Sequence, residues 1–467
     1  MVATLHRQSP IGGVLGIDQE ADLLVEPNEQ SRNRPALHQD AWTTLAINLV
    51  GAAAMLMVGL LLGRHLGATG YGAYVFALAW TEILALLAPL GFDKLLVREV
   101  AKHHAAKNSP AIRTLMRYAV QVAGAMGLAL ALVLVGLTVA AGNLLEAGVV
   151  PCLLVAAALV PLRAMMFQNR GILLGLNRTA AAAVAAALLQ PITLLLLLAM
   201  VLLLIPDRFN PVWAVALTGV AAAVAVAVTS LQMFLSIDHR TRTMPRSPST
   251  NPRIGAALPM MFLAVLGIIN TRADLIMLGM MDTTATVGIY GAALLLAQLV
   301  RFGMMAVNPA LAPIAAKVGA ANDRAQLRQS AGHAARMMTG LALLALVGLV
   351  LWGRPLLGLY GTQFIQGYPA LVILGAAYCV AASMGALETI LSMTGHERIT
   401  GRVGMAATAV NIMLNAALIP RFGLIGAACA TGLTTILWAA ALSVVARRRL
   451  GIDVSIFARA TTVVTHP

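Results

Sequence analysis

Long apolar runs constrain this chain more than any other feature of its sequence. Twelve segments of roughly 20 residues are almost free of charge, and about 20 residues of helix match the hydrocarbon thickness of a bilayer. The runs are continuous, as in 194–205, and do not alternate as the strands of outer-membrane barrels do. With 60% hydrophobic and 11% charged residues, the chain has too little polar surface to cover a soluble globule. The sequence therefore predicts an all-α integral membrane protein.

The charges between the runs predict how the chain crosses the membrane. The twelve predicted spans are 41–63, 71–93, 115–141, 147–168, 179–205, 210–236, 256–280, 285–312, 332–353, 366–391, 402–420 and 423–446. Of 32 Lys and Arg residues, 25 lie in the termini and in the loops on the same side, 4 lie on the opposite side and 3 lie inside spans. Because cytoplasmic loops carry the excess of Lys and Arg, both termini are expected in the cytoplasm. We expect a multi-pass protein of the bacterial cytoplasmic (inner) membrane.

A basic, Pro/Ser-containing segment in the middle of the chain predicts a linker between two halves. The expected organisation is a flexible cytoplasmic tail at 1–40, a six-helix bundle at 41–238, a basic cytoplasmic linker at 239–255, a second six-helix bundle at 256–446 and a cytoplasmic tail at 447–467.

Weak internal symmetry supports this division into halves. A Leu-Gly pair followed by a Gly-x-Tyr motif occurs in 62–74 and again in 278–290, at an offset of 216 residues. A Gly-x-x-Arg motif occurs in 175–178 and in 395–398, at an offset of 220. Because each half has an even number of spans, the repeat is expected to be parallel, with a substrate cleft between the halves near the membrane midplane.

Three segments carry a family resemblance. Residues 63–103, 273–293 and 414–433 contain the Gly-x-Tyr junctions and an Asn-x-x-Leu-Ile-Pro-x-Phe-Gly sequence. They resemble the polysaccharide-biosynthesis, O-antigen-type flippases of the multidrug/oligosaccharidyl-lipid/polysaccharide (MOP) exporter superfamily, over about 41–446. The resemblance implies twelve helices in two bundles around a central cavity, as in MATE transporters, and a lipid-linked sugar as the cargo.

Ionisable residues inside the predicted spans are the candidate functional residues. Each costs about 2.5–3.5 kcal/mol at the centre of a membrane helix, so each is expected to have a partner or a function. Arg272 and Arg301 suit the diphosphate of an anionic headgroup, because guanidinium is always charged and offers a fork of donors. Glu82 and Asp274 are candidates for binding a coupling proton or cation. Arg272 and Asp274 are two residues apart and should point to different faces, so they are not expected to pair.

The repeat predicts which of these residues share the cleft. Adding its offset to Glu82 leads to Gln298, and Arg301 lies three residues further on the same helical face. Glu82 and the Gln298/Arg301 face are therefore expected to face each other, with Gln298 a further substrate contact. The alternative is that Glu82 and Arg301, or Asp274 and a neighbour, form ion pairs that only fix helix packing.

Two further charges lie nearer to the predicted cytoplasmic ends of spans. Arg163 is a candidate substrate contact in span four, and Glu388 lies in span ten. Both side chains are long enough to reach the interface from these positions, and this snorkelling is the favoured interpretation.

Several functional classes are disfavoured. The sequence has no Walker loop, HExxH or GxSxG motif, and its three cysteines lie in apolar runs without metal-ligand spacing. No cofactor, metal or nucleic-acid partner is expected; the net charge of +14 lies between the spans, where it sets orientation. The sequence thus predicts a non-enzymatic flippase for a polyprenyl-diphosphate-linked oligosaccharide, working with membrane lipid and with polysaccharide polymerase or export machinery. The alternatives are a cation-coupled multidrug exporter, a peptidoglycan lipid-precursor flippase and, more remotely, a membrane-embedded sugar ligase or transferase.

Overall fold

The computed structural model is described for residues 34–106, 108–235, 272–320 and 324–451, and for the single positions 269 and 454. Within these ranges the chain is helical and contains no β-strand. The predicted linker at 239–255, most of the predicted seventh span, and residues 1–33 of the predicted tail lie outside the described residues. Residues 34–40 of that tail already belong to the first helix.

The described N-terminal half contains eight α-helices with short 3₁₀ and π segments between some of them. They are α1 (Arg34–Leu87), α2 (Phe92–Ala105), α3 (Ser109–Ala140), α4 (Val149–Ala157), α5 (Leu159–Gly175), α6 (Thr179–Ala183), α7 (Gln190–Leu204) and α8 (Pro211–Leu235). A π-helical segment, Val184–Leu189, joins α6 to α7, so that these pieces form one continuous apolar span. Helix α2 is amphipathic and buries Phe92, Leu96 and Val100 against α3 and α5.

The described C-terminal half contains seven α-helices. They are α9 (described over 272–281), α10 (Thr284–Ala297), α11 (Phe302–Ala320), α12 (Arg324–Tyr360), α13 (Tyr368–Ser383), α14 (Leu387–Met393) and α15 (Glu397–Leu450). A 3₁₀ turn, Gln298–Arg301, joins α10 to α11.

Among the described residues, eight helices are long and apolar enough to cross a membrane, and nine if the bent pair Val149–Ala157 and Leu159–Gly175 counts as one span. The prediction of an all-helical, multi-pass membrane protein is therefore confirmed. The predicted and observed ends agree closely where one run forms one helix: span six was expected at 210–236, and α8 is Pro211–Leu235.

Two of these helices are interrupted by a glycine in the left-handed region. Gly67 in α1 has φ 67°, and Gly423 in α15 has φ 53°. The chain folds back at both points. A Cβ at Gly426 would overlap the carbonyl of Leu418, although eight residues of straight helix would separate them by about 12 Å. A Cβ at Gly59 would likewise lie 3.3 Å from the Tyr71 hydroxyl, twelve residues away. Gly67 lies between the first two predicted spans, and Gly423 is the first residue of the twelfth. Glycine adopts a positive φ at no steric cost, whereas residues with a side chain do not.

The two halves meet most closely where α1 crosses α10. A Cβ on Gly72 would overlap the carbonyl oxygen of Thr284, and a Cβ on Gly288 would overlap the carbonyl oxygen of Ala68. Both pairs are related by the offset of 216 residues found in the sequence, since Gly72 matches Gly288 and Ala68 matches Thr284. The two backbones can approach this closely only because neither glycine carries a side chain.

Further contacts close the same end of the helix bundle, which we call the closed end. The ring of Tyr71 packs edge-on against those of Tyr360 and Phe364, at centroid distances of 6.1 and 5.9 Å. The backbone N–H of Thr284, in the first turn of α10, donates to Glu146 Oε1 at 3.0 Å, and the Thr284 hydroxyl donates to Glu146 Oε2. A carboxylate of the N-terminal half thus caps a helix of the C-terminal half, where the helix dipole favours negative charge.

Candidate functional site

Glu82 lies between two arginines and binds both. The guanidinium Nη1 of Arg163 donates to Glu82 Oε1 at 2.9 Å, and Nε of Arg272 donates to Glu82 Oε2 at 2.5 Å. The side chains of Glu82, Arg163 and Arg272 are only 21%, 11% and 28% exposed. Charged side chains that are largely withdrawn from solvent need partners of opposite charge. Here each oxygen of the Glu82 carboxylate binds one guanidinium. Because two guanidiniums share one carboxylate, the group keeps one surplus positive charge.

This charged triad joins the two halves of the chain. Glu82 lies in α1 after the break at Gly67, Arg163 lies in α5, and Arg272 opens the described part of α9. Two members therefore come from the N-terminal half and one from the C-terminal half. The bond between Glu82 and Arg272 is an ionic link between the halves, separate from the glycine crossing at the closed end.

The triad corrects two interpretations of the sequence. Arg163 was expected to reach the membrane interface, but it is largely buried and bound to Glu82. A carboxylate within hydrogen-bond reach in a dry region is a stronger partner for guanidinium than a distant headgroup. The alternative that pairs Glu82 with Arg301 is also wrong, since the described partners of Glu82 are Arg163 and Arg272. The sequence does not indicate that Arg163 pairs with Glu82, because this contact depends on how α5 packs against α1.

Asp274 lies apart from the triad and is almost fully buried, with 1% exposure. Tyr290 donates its hydroxyl to Asp274 Oδ2 at 2.6 Å, Thr431 donates to the same oxygen at 3.2 Å, and the Leu275 N–H donates to Oδ1 at 2.8 Å. The prediction that Arg272 and Asp274 do not pair is confirmed, because each binds other groups. Three donors around one carboxylate form a hydrogen-bonded polar centre inside the C-terminal half.

The sequence did not identify Tyr290 and Thr431 as partners of Asp274. Neutral hydroxyls in an apolar run are common and give little signal. The available clue was the repeat: Tyr290 is the counterpart of Tyr74, whose hydroxyl bonds to Thr218 Oγ1 at 3.2 Å in the N-terminal half.

Arg301 and Gln298 occupy the 3₁₀ turn between α10 and α11. Gln298 is half-buried, whereas Arg301 is exposed and lies over the ring of Tyr378, with Cζ 5.3 Å from the ring centroid. No bond joins either residue to Glu82 in the described part of the chain, so the structure does not bring the predicted face and Glu82 into contact. Arg301 instead lines a cavity in the C-terminal half that is partly open to the outside. Glu388, expected at the interface, is exposed and also lines this cavity.

The described residues contain no group of three His, Cys, Asp or Glu side chains arranged to hold a metal ion. Cys152 and Cys379 are buried and Cys429 is half-buried, and all three are free thiols. Their position agrees with the interpretation of these cysteines as small side chains between helices.

The fold is similar to solved transporter structures. The chain matches a multidrug resistance MATE family transporter of the MOP superfamily in an inward-facing conformation with a TM-score of 0.73, at 14% identity over 88% of this chain and 98% of that chain. It matches an outward-facing structure of such a transporter with a TM-score of 0.64, at 12% identity over 88% and 95% of the two chains. The lipid II flippase MurJ, in an inward closed conformation, matches with a TM-score of 0.58, at 14% identity over 86% and 87%.

Sequence comparison identifies the family. A probable flippase, AglR of Haloferax volcanii, is 30% identical over 168 residues, a match that spans 34% of this chain and 34% of the relative. The family model described as polysaccharide biosynthesis protein matches residues 37–318, more than half of the chain. The resemblance to polysaccharide-biosynthesis proteins found in the sequence is thereby confirmed: the chain belongs to the polysaccharide biosynthesis protein family.

Proposed function

We propose that this protein is a flippase that moves a polyprenyl-diphosphate-linked oligosaccharide from the cytoplasmic to the outer leaflet of the cytoplasmic membrane. The observation that carries the proposal is the triad of Glu82, Arg163 and Arg272, which holds a surplus positive charge between the two halves. A diphosphate is the part of such a cargo that must cross the bilayer centre with its charge, and guanidinium forks suit it. Membership of the family and similarity to a probable flippase support this assignment.

The proposed architecture is two parallel six-helix bundles with both termini in the cytoplasm. The reciprocal contacts of Gly72 and Gly288 support the repeat, and the reversals at Gly67 and Gly423 each divide one long helix into two crossings. The bias of Lys and Arg supports the orientation. With this orientation the closed end faces outward.

The proposed cycle begins with Glu82 bound to both arginines. An incoming diphosphate carries more negative charge than one carboxylate and displaces Glu82 from Arg163 and Arg272. Glu82, now without its cationic partners in a dry region, takes up a proton. The ionic link between the halves is then broken, and the two bundles rock about the cleft while the lipid tail stays in the bilayer. Asp274 is the second proposed site for the coupling proton or cation, and Gln298 and Arg301 are further contacts for the cargo.

The chain is proposed to make and break no covalent bond. Its product would be a lipid-linked oligosaccharide on the outer face, where a polysaccharide polymerase or export machinery would use it.

A second candidate function is that of a cation-coupled multidrug exporter, which the similarity to MATE transporters favours. Arginines in the cleft repel a cationic drug, and the predicted first span, 41–63, contains no ionisable side chain to bind a coupling ion. The similarity to MurJ favours a third candidate, a peptidoglycan-precursor flippase.

Depletion of the protein tests these functions against each other. We expect lipid-linked oligosaccharide to accumulate in the cytoplasmic leaflet, where a membrane-impermeant glycosidase added to spheroplasts cannot reach it but reaches it after lysis. Unchanged lipid-linked sugars together with greater sensitivity to cationic drugs would support the exporter instead. Accumulation of the peptidoglycan precursor alone would support the third candidate.

A further inference from the structure

Helices α3 and α12 each carry an exposed stripe that changes from cationic to apolar along the helix. In α3 the exposed Arg117 is followed on the same face by Leu128 and Leu132, which are 57% and 64% exposed. Eleven residues make about three turns of α-helix, so Arg117 and Leu128 point in the same direction. In α12 the exposed Arg336 is followed in the same way by two exposed apolar residues, Val347 and Leu351. Each arginine therefore faces the same surroundings as the apolar side chains beyond it.

The two stripes occupy equivalent places in the two halves of the chain. The arginine and the two apolar residues of α3 match those of α12 at a common offset of 219 residues, close to the offsets of 216 and 220 between the repeated motifs. Buried residues on the opposite sides of the helices keep the same offset: Ala119 and Ala123 in α3, Met338 and Ala342 in α12. Agreement on both sides supports α3 and α12 as counterparts in the repeat.

The lengths of these helices indicate how deep the arginines lie in the membrane. The part of α3 from Arg117 to Ala140 is about 35 Å long, and the part of α12 from Arg336 to Tyr360 is about 36 Å long. The hydrocarbon core of a bilayer is about 30 Å thick. A helix that crosses this core and ends at one interface therefore carries its arginine at the other, at the depth of the lipid phosphates. The charge bias predicts that this is the cytoplasmic interface.

Acidic side chains do not balance the charge at these helix ends. Neither α3 nor α12 contains an aspartate or a glutamate. Among the residues that the structure describes, no carboxylate lies within 4 Å of Arg117 or Arg336. Guanidinium is always charged and offers a fork of donors that fits phosphate oxygens. Each helix end thus presents a guanidinium that an anion from outside the protein can bind.

The apolar part of each stripe indicates what kind of anion lies there. Leu132 and Leu351 are covered by lipid in a membrane, so the molecule that lies beside Arg117 or Arg336 on the same face is also a lipid. A phosphatidylethanolamine headgroup carries an ammonium next to its phosphate and therefore repels the guanidinium in part. The headgroup of phosphatidylglycerol has a net negative charge and attracts it. The surroundings of both arginines therefore favour anionic phospholipids.

We propose that Arg117 and Arg336 bind the headgroups of anionic phospholipids in the cytoplasmic leaflet, with one site on the outer surface of each half. Both sites lie outside the triad of Glu82, Arg163 and Arg272, and they exist whatever cargo the protein moves. Because the two sites are equivalent in the repeat, one lipid is held by each of the two bundles.

Native mass spectrometry of the purified full-length protein tests these sites. The protein, freed of lipid in detergent, is titrated with phosphatidylglycerol or with phosphatidylethanolamine of the same acyl chains. We expect two molecules of phosphatidylglycerol to bind about fivefold more tightly than phosphatidylethanolamine, as for one arginine at an anionic lipid surface. Arg117→Gln and Arg336→Gln should each remove one of the two sites, and the double variant should remove both. Arg117→Lys keeps the charge and should keep its site.

Arg98→Gln is the matched control. It removes an exposed guanidinium on the same predicted side of the membrane, but one that pairs with Glu99, and it should keep both sites. Equal affinity for the two lipids in the unaltered protein, or a preference that survives in the double variant, would overturn the proposal. Glycerol phosphate that competes as well as the lipid would show a site for soluble phosphate instead. A polyglutamate peptide that displaces the lipid from the unaltered protein would identify an acidic protein as the partner and would also overturn it.

Discussion

At the scale of single residues, the central feature is the sharing of Glu82 between Arg163 and Arg272. Each oxygen of the carboxylate binds one guanidinium, so removal of either arginine leaves the other still paired, whereas removal of Glu82 leaves two buried cations without a counter-ion. Breaking a buried ion pair by deleting one partner is strongly destabilising because an uncompensated charge remains. Charge-conserving substitutions therefore separate a role in cargo binding from a role in packing.

Arg272→Lys is the informative substitution. Lysine keeps the charge that pairs with Glu82 but lacks the planar fork that binds a diphosphate through two parallel bonds. We expect transport of lipid-linked oligosaccharide to fall about tenfold, as for the loss of one charge-assisted hydrogen bond, at an unchanged level of protein in the membrane. Arg98→Lys, at a guanidinium that is 61% exposed, is the control and should leave transport unchanged. Full transport by Arg272→Lys would restrict Arg272 to packing.

The sequence predicted the ionisable members of the site better than their partners. Glu82, Arg272 and Asp274 were recognisable because a charge in an apolar run is expensive and therefore requires a partner or a function. The bond from Arg163 to Glu82 joins residues 81 positions apart and depends on the packing of α5 against α1, which no local pattern encodes.

At the scale of helices, glycines decide where the chain turns and where the halves touch. Hydrophobic runs predicted apolar helices, because each span must satisfy its backbone within a helix of bilayer length, and eight or nine of the described helices are long and apolar enough to cross a membrane. They did not predict that α1 and α15 would remain helical up to the reversals at Gly67 and Gly423. The Gly-x-Tyr motif was recognised as a repeat, but its physical purpose, the backbone contact of Gly72 with Thr284 and of Gly288 with Ala68, became evident only from the packing.

Gly72→Ala should open the closed end. The added methyl group overlaps the carbonyl of Thr284, and overpacking of this kind costs about 1–3 kcal/mol, which corresponds to roughly 5- to 150-fold in an equilibrium between two states. Spin labels at Asp207→Cys and Arg421→Cys, one in each half, should therefore report a larger population at long distance. Gly136→Ala, where a Cβ meets nothing within 4 Å, should leave the distance distribution unchanged. An unchanged distribution in Gly72→Ala would show that the crossing does not limit opening.

At the scale of the whole molecule, the proposed orientation decides which side of the membrane the closed end faces, and labelling can measure this orientation. Asp207, between α7 and α8, and Arg448, near the end of α15, are both exposed and lie on opposite predicted sides. In a cysteine-free background, a membrane-impermeant maleimide should label Asp207→Cys in intact cells and should label Arg448→Cys only after permeabilisation. Labelling in the reverse pattern would show that the protein has the opposite orientation in the membrane and that its closed end faces the cytoplasm.

The triad also affects which anions the protein excludes when it has no cargo bound. In the proposed cycle the protein releases its cargo at the outer face and returns empty, and two free guanidiniums would then bind small anions such as chloride and carry them inward. Glu82 is a competitor tethered within hydrogen-bond distance of both arginines, so it is present at a very high effective concentration. An anion in solution must outbind it at two places at once, which singly charged species do poorly. Under the proposed function, the Glu82 carboxylate thus keeps small anions from taking the place of the cargo when the empty protein returns.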